Sequence, residues 1–201
     1  MSARLWRSSV LAGIAAALLL ANLHLAGSAQ QPPRKPQPRP HGQTVEVPPA
    51  SVLVDDGDTF TIAWAAGDTE IVRILGIDTP ETMHPQHGIP RDQEKGPEAR
   101  AFAQGAVAFA EHVQLRRADT LDPYGRSLGY FLLDGKNYSV AVVAAHLAYE
   151  SVSFYGDNGF PTEAKAVLAA AEVAGKPPFE PPHEFRRRMR EEARGAGAPA
   201  R

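Results

Sequence analysis

Two aspartates, a glutamate and two arginines stand at spacings that could assemble phosphoryl-transfer chemistry. Asp58 belongs to the run Asp55-Asp56-Gly57-Asp58-Thr59. Arg73, Asp78 and Glu81 lie in Arg73-Ile74-Leu75-Gly76-Ile77-Asp78-Thr79-Pro80-Glu81-Thr82, and Arg126 closes Asp122-Pro123-Tyr124-Gly125-Arg126. Each cluster alone has a plain structural reading. Asp-Gly is a strong hairpin-turn signal. Asp78 and Glu81 around Pro80 suit a strand end, where an Asp side chain caps the backbone. An Arg inside an apolar strand is usually paired with a carboxylate, and Arg126 can simply open a strand after a turn. Gathered into one site, the same residues offer more. Asp carboxylates and a backbone carbonyl are hard oxygen donors that suit Ca²⁺ or Mg²⁺ rather than zinc. Two guanidinium groups beside a divalent cation match the charge that grows on the equatorial oxygens of a phosphodiester transition state.

The elements that must position these residues read as strands first, then a mixture. Residues 45–54 have strand composition, with Pro48-Pro49 marking a bend or an edge. The acidic turn leads into alternating residues 59–64, Gly67-Asp68 turns the chain again, and 69–75 form a third strand. The proline-, glycine- and charge-rich stretch 79–96 reads as a long loop, a length that is uncommon unless functional. Pro97 suits the first turn of a helix, and Ala99, Phe102, Ala103, Ala106, Ala110 and Val113 form one apolar stripe at helical spacing. Strands follow from 113 and over 128–133, then a short buried helix over 140–147 and an Ala-rich one over 161–174. Five short strands with a helix after the third predict an α+β domain built on a five-stranded, closed or partly open OB-type β-barrel, with about three helices.

The 201-residue chain has no cysteine, which excludes disulfides, a thiol nucleophile and Cys-ligated metal sites. Arg4 and Arg7, the apolar run 10–21 and the small residues Gly27-Ser28-Ala29 read as a signal peptide over 1–29, cut after Ala29. An uncleaved membrane anchor is the other reading of that segment. Residues 30–43 hold five prolines and read as an extended linker, 44–176 as the folded domain, and 177–201 as a Pro-rich then Arg-rich tail, with a short exposed helix over 184–194 and a flexible Gly/Ala/Pro end. Residues 42–182 carry ten basic against twenty acidic side chains, a net charge of −10. That argues against a passive electrostatic binder of nucleic acid and is compatible with recruitment of a divalent cation.

Asp-Gly-Asp-Thr, then Arg-x-x-x-x-Asp-Thr-Pro-Glu-Thr, then Gly-Pro-Glu-Ala, then Tyr-Gly-Arg-x-Leu-x-Tyr, in that order, resemble the staphylococcal nuclease (thermonuclease) family from about residue 51 to 174. Each motif alone is weak; four in order with compatible spacing are specific. The resemblance implies a five-stranded OB barrel with three helices, and a Ca²⁺-dependent nuclease acting on DNA and RNA. It implies Asp58 and Asp78 as Ca²⁺ ligands through carboxylates and Thr79 through its carbonyl. Glu81 would orient or deprotonate the attacking water, Arg73 and Arg126 would hold the scissile phosphate, and Tyr124 and Tyr155 would lie beside the nucleotide. The expected product has a 3′-phosphate end. A secreted or periplasmic monomer with no stable protein partner, in at most transient membrane contact through its signal segment, completes the expectation. The chain departs from the family at Pro123, where a Lys is common, at Gln86 and His87 in the long loop, and at Phe154-Tyr155, near Tyr149, where a tyrosine pair is usual. A non-catalytic binding or scaffold module on the same fold is the alternative, but it would not need this charged set together.

Overall fold

Pro48 and Pro49 split the first apolar run into two strands with different partners, because a proline cannot donate to a ladder. The computed structural model describes residues 39–196. In it β1 (Thr44–Val47) ends at a short 3-10 turn over Pro49–Ser51, and β2 (Val52–Val54) follows. β1 pairs with β6 (Val113–Leu121), whereas β2 pairs with β3 (Thr59–Ala65). One interrupted strand thus edges both sides of the sheet and curls it. The acidic turn joins β2 to β3, and Gly67, at φ 76°, closes the hairpin from β3 to β4 (Asp68–Ile74). β4 then runs parallel to β7 (Ser127–Leu133), with Arg73 opposite Leu128. The sheet order is β1-β6-β7-β4-β3-β2, with β8 (Lys136–Asn137) beside β7, and β5 (Ile77–Asp78) pairs separately with β9 (Tyr149–Glu150). This is an OB-like α+β fold, and the five expected strands are present with the first divided.

The described residues form five α-helices: α1 (Gly96–Phe109), α2 (Tyr138–Ala144), α3 (Val152–Tyr155), α4 (Pro161–Ala174) and α5 (Pro182–Ala196). Of the stripe read from the sequence, α1 buries Ala99 and Ala103, and Val107, outside that stripe, is buried with them. Asn137 caps α2 by accepting from the Ser139 amide at 2.9 Å. The core is Phe60, Ile62, Val72, Ile74, Ile77, Leu115, Phe131 and Tyr138 with the inner faces of α1, α2 and α4. Phe60 meets Phe131 edge-on at 5.1 Å and Tyr138 at 5.3 Å, geometries that suit the aromatic quadrupole. Two packing details reach the acidic turn and the strand before Asp78. The Tyr138 hydroxyl donates to the Gly57 carbonyl at 2.7 Å, and the Ser139 hydroxyl donates to the Leu75 carbonyl at 2.8 Å.

Two expectations are corrected. The last residues of the expected linker are bound to the sheet: Arg39 pairs with Asp68 and Glu70, and the Gln43 carbonyl accepts from the Arg117 amide at 3.0 Å. The helix expected over 184–194 of the Arg-rich tail is present over 182–196, but it is not wholly exposed. It is α5, and it buries Phe185 and Met189 against Ile89 as a second small core. An apolar pair four residues apart gives an otherwise charged helix a face to dock. The expected signal segment and its cleavage point lie outside the described residues. Among the described residues no helix is long and apolar enough to cross a membrane.

Candidate active site

The turns at one end of the sheet bring Asp58, Arg73, Asp78, Thr79 and Glu81 together. Asp58 stands at the start of β3, and its backbone carbonyl accepts from the Ile74 amide at 2.8 Å. Its side-chain Oδ2 accepts from the Thr79 amide at 2.7 Å, which locks the two loops to each other. Gly57 is required here, since a Cβ at that position would lie 2.8 Å from Thr79 Oγ1. Asp78 is held by the β5–β9 pairing, opposite Tyr149. Glu81 is clamped by Gln93, which accepts from the Glu81 amide through Oε1 at 3.1 Å and donates its own amide to the Glu81 carbonyl at 2.9 Å.

Arg73 lies against Asp58 and Asp78. It pairs with the Asp58 side chain, lies 3.1 Å from Asp78 Oδ1, and donates to the carbonyls of Asp58 at 3.3 Å and Ile77 at 3.2 Å. Burial pulls its pKa below the ordinary arginine value; Asp78 and Asp56 oppose that shift, while Arg126 and Arg186 add to it. The ion-pair reading of Arg73 is therefore also true of this arrangement. Arg126, just before β7, is held by Asp122: its Nε donates to Oδ2 at 2.6 Å, and its guanidinium lies 5.6 Å from the centre of the Tyr124 ring. The two tyrosines are on the surface. Tyr124 is 85% exposed, and Tyr155, in the single turn of α3, is 74% exposed.

Three participants were not found from the sequence. Asp56 accepts from the Asp58 amide at 2.9 Å, and burial pushes its carboxyl up. Gln93 has no sequence signal of its own. Arg186 comes from α5 and makes a fork onto Asp78, Nη1 to Oδ1 and Nη2 to Oδ2, each 3.0 Å, while Nη1 also reaches Glu81 Oε1 at 2.5 Å. The one available signal was the Phe185/Met189 pair, which marks a docking helix and fixes which arginines face inward. Burial raises the Glu81 carboxyl, and Asp56 and Asp78 raise it further, against the lowering effect of Arg186.

The donor set fits an oxygen-seeking divalent cation. It consists of carboxylates and a backbone loop, with no sulfur, and the buried Thr79 Oγ1 has no hydrogen-bond partner. Among the described residues no three acidic or imidazole side chains already converge as a metal cage, since guanidinium groups stand between the carboxylates.

The profile of the staphylococcal nuclease homologue family matches residues 71–177. The chain is 34% identical over 106 residues to the Thermonuclease of Staphylococcus intermedius, covering 52% of this chain and 59% of that protein. It is 33% identical over 94 residues to the SPbeta prophage-derived endonuclease YokF of Bacillus subtilis (strain 168), covering 46% of this chain and 30% of the relative. Endonuclease YncB of the same organism is 32% identical over 94 residues, covering 46% and 43%. The matched stretches thus span less than two thirds of each relative's own length, and the family match stops before α5. Running from β4 through α4, it establishes that this chain belongs to the staphylococcal nuclease homologue family.

Proposed function

We propose that this chain is a secreted or periplasmic Ca²⁺-dependent nuclease that hydrolyses phosphodiester bonds of DNA and RNA by in-line attack of water. The observation that carries this is the convergence of Asp58 and Asp78 on Arg73 at one end of the sheet, with Glu81 joined to Asp78 through Arg186. The relatives' names, a thermonuclease and two endonucleases, support it. Asp58 and Asp78 would hold Ca²⁺ through their carboxylates and Thr79 through its carbonyl. The bound cation would neutralise phosphate charge and polarise the ester. Glu81 would take the proton of the attacking water; burial strengthens it as a base by raising its carboxyl. Arg73 and Arg126 would donate to the phosphate oxygens where charge appears only in the transition state. Arg73 must then loosen its pairing with Asp58 and Asp78, which a cation on those carboxylates favours.

Digestion of plasmid DNA and of RNA with Ca²⁺, with Mg²⁺ and with EGTA tests the proposal. Cleavage leaving 3′-phosphate ends is expected with Ca²⁺. Poor turnover is expected with Mg²⁺, which demands stricter octahedral geometry, and none with EGTA. Undiminished cleavage in chelator would overturn it. N-terminal sequencing of secreted protein tests the localisation, the expected first residue being Gln30.

A further inference from the structure

Arg186 lies nine residues beyond the end of the family match, so nothing in the family motifs accounts for it. Its guanidinium nevertheless occupies both carboxylate oxygens of Asp78 and one of Glu81. Three independent contacts fasten α5, which carries it. Phe185 and Met189 bury themselves against Ile89. Arg91 makes a fork onto Glu192 at 2.9 and 3.0 Å. The Glu180 carbonyl, just ahead of the helix, accepts from Gln93 Nε2 at 2.5 Å, and Gln93 is the residue that clamps Glu81. The helix is therefore tied to the Glu81 loop at its base and along its length, and Arg186 is aimed inward by that docking.

We propose that α5 is a built-in competitor for the cation site: Arg186 is its resident counter-charge, holding Asp78 and Glu81 until a divalent cation displaces it. The inference rests on the cation reading of Asp58, Asp78 and Thr79. Its physical basis is occupancy and charge. The Asp78 lone pairs that a cation needs are those the guanidinium fork uses, and a divalent ion in contact with Asp78 would sit against a fixed positive group. A hard cation and a guanidinium satisfy the same buried carboxylates, and leaving those carboxylates without either is costly. Exchange between the two is therefore the inexpensive path. The Arg186 side chain is 29% exposed, so it has an open route outward.

Calorimetric titration of the full chain with Ca²⁺ tests this. Arg186→Gln should tighten Ca²⁺ binding by about tenfold or more, the scale of one charge-assisted hydrogen-bonded pair removed from the competition. Arg186→Lys, which keeps the charge and loses the fork, should fall between it and the wild type. Met189→Ala undocks the helix without altering any charge and should also tighten binding. In the wild type, Ca²⁺ should accelerate amide hydrogen exchange in α5. Equal or weaker Ca²⁺ binding by both Arg186→Gln and Met189→Ala would overturn the competitor and leave the cation site standing. Absence of Ca²⁺ binding in wild type and variants alike would overturn the cation reading, and the competitor with it.

Discussion

Arg73 and Arg126 are the two proposed phosphate donors, but they differ in what their loss exposes. Arg73 neutralises buried Asp58 and Asp78, whereas Arg126 pairs with Asp122 in the turn between β6 and β7 and is partly solvated. Arg73→Ala and Arg126→Ala should each lower kcat by at least about 10²-fold, the scale of one preorganised transition-state donor. Only Arg73→Ala should also lower the melting temperature in the absence of metal, because it leaves buried Asp58 without its counter-ion while Asp78 keeps Arg186. Oligonucleotide cleavage with parallel thermal melts separates the two effects; equal melting temperatures would contradict the buried pairing. Glu81→Gln should reduce kcat with less effect on Ca²⁺ affinity than Asp58→Asn. Away from the site, Glu70 is the side chain whose titration bears on stability. Burial would raise its carboxyl, but hydrogen bonds from Arg117, Ser127 and Trp64 outweigh burial and hold it below the ordinary value of 4.5. Its folded value lies below its unfolded one, so its contribution is present above pH 4.5 and is lost as pH falls through the lower folded value. Glu70→Gln should cost about 3–5 kcal/mol near neutrality by stranding buried Arg117, and its gap from the wild type should narrow in melts taken below pH 4.5.

Gly96 shows how an element's first residue can control the site. It opens α1 directly against the Glu81 backbone, and a Cβ there would lie 2.2 Å from the Glu81 carbonyl oxygen. Gly96→Ala must therefore push the Glu81 loop aside. The expected outcome is kcat lower by about 10- to 10²-fold, the effect of misplacing a reacting group by about 1 Å, with α1 helicity unchanged by circular dichroism. Wild-type turnover in that variant would show that Glu81 does not need its present position. The same loop is the floor on which α5 docks, through Ile89, Arg91 and Gln93. The long stretch between β5 and α1 thus carries a catalytic candidate on one side and a helix seat on the other.

Across the full surface, charge is unevenly placed. The folded region is strongly acidic, while α5 turns Arg187, Arg190 and Arg194 outward on one face. Affinity for a polyanion rests on displaced counterions, each neutralised phosphate adding about 0.7–0.9 to the salt slope. Arg73, Arg126 and a cation alone predict a slope of roughly −2 to −3 in log K against log salt. The three outward arginines should steepen it to roughly −4 to −5. Binding of a Glu81→Gln background to single-stranded DNA, over a salt series at fixed Ca²⁺, should show that slope. Adding Arg187→Gln, Arg190→Gln and Arg194→Gln should return it to the shallower value. An unchanged slope would show that α5 makes no phosphate contact.

Strand and turn positions are legible in the sequence, because alternation, Asp-Gly turns and proline placement act within a few residues of chain; the charged set Asp58, Arg73, Asp78, Glu81 and Arg126 stands out there through the four ordered motifs that carry the family resemblance. The Gly-Pro-Glu-Ala motif was legible as well, but not why its glycine is needed, which follows from a backbone contact across 15 residues. The division of the first strand between two partners was hinted at by Pro48-Pro49 and settled by pairing with β6, far along the chain. Arg186 was invisible in function: it meets Asp78 across 108 residues, and in sequence it is one arginine among several. Local composition makes the tail look solvated. Burial of Phe185 and Met189 turns one arginine of that tail into the acidic site and leaves others facing water, because docking fixes a helix's rotation and no local preference does.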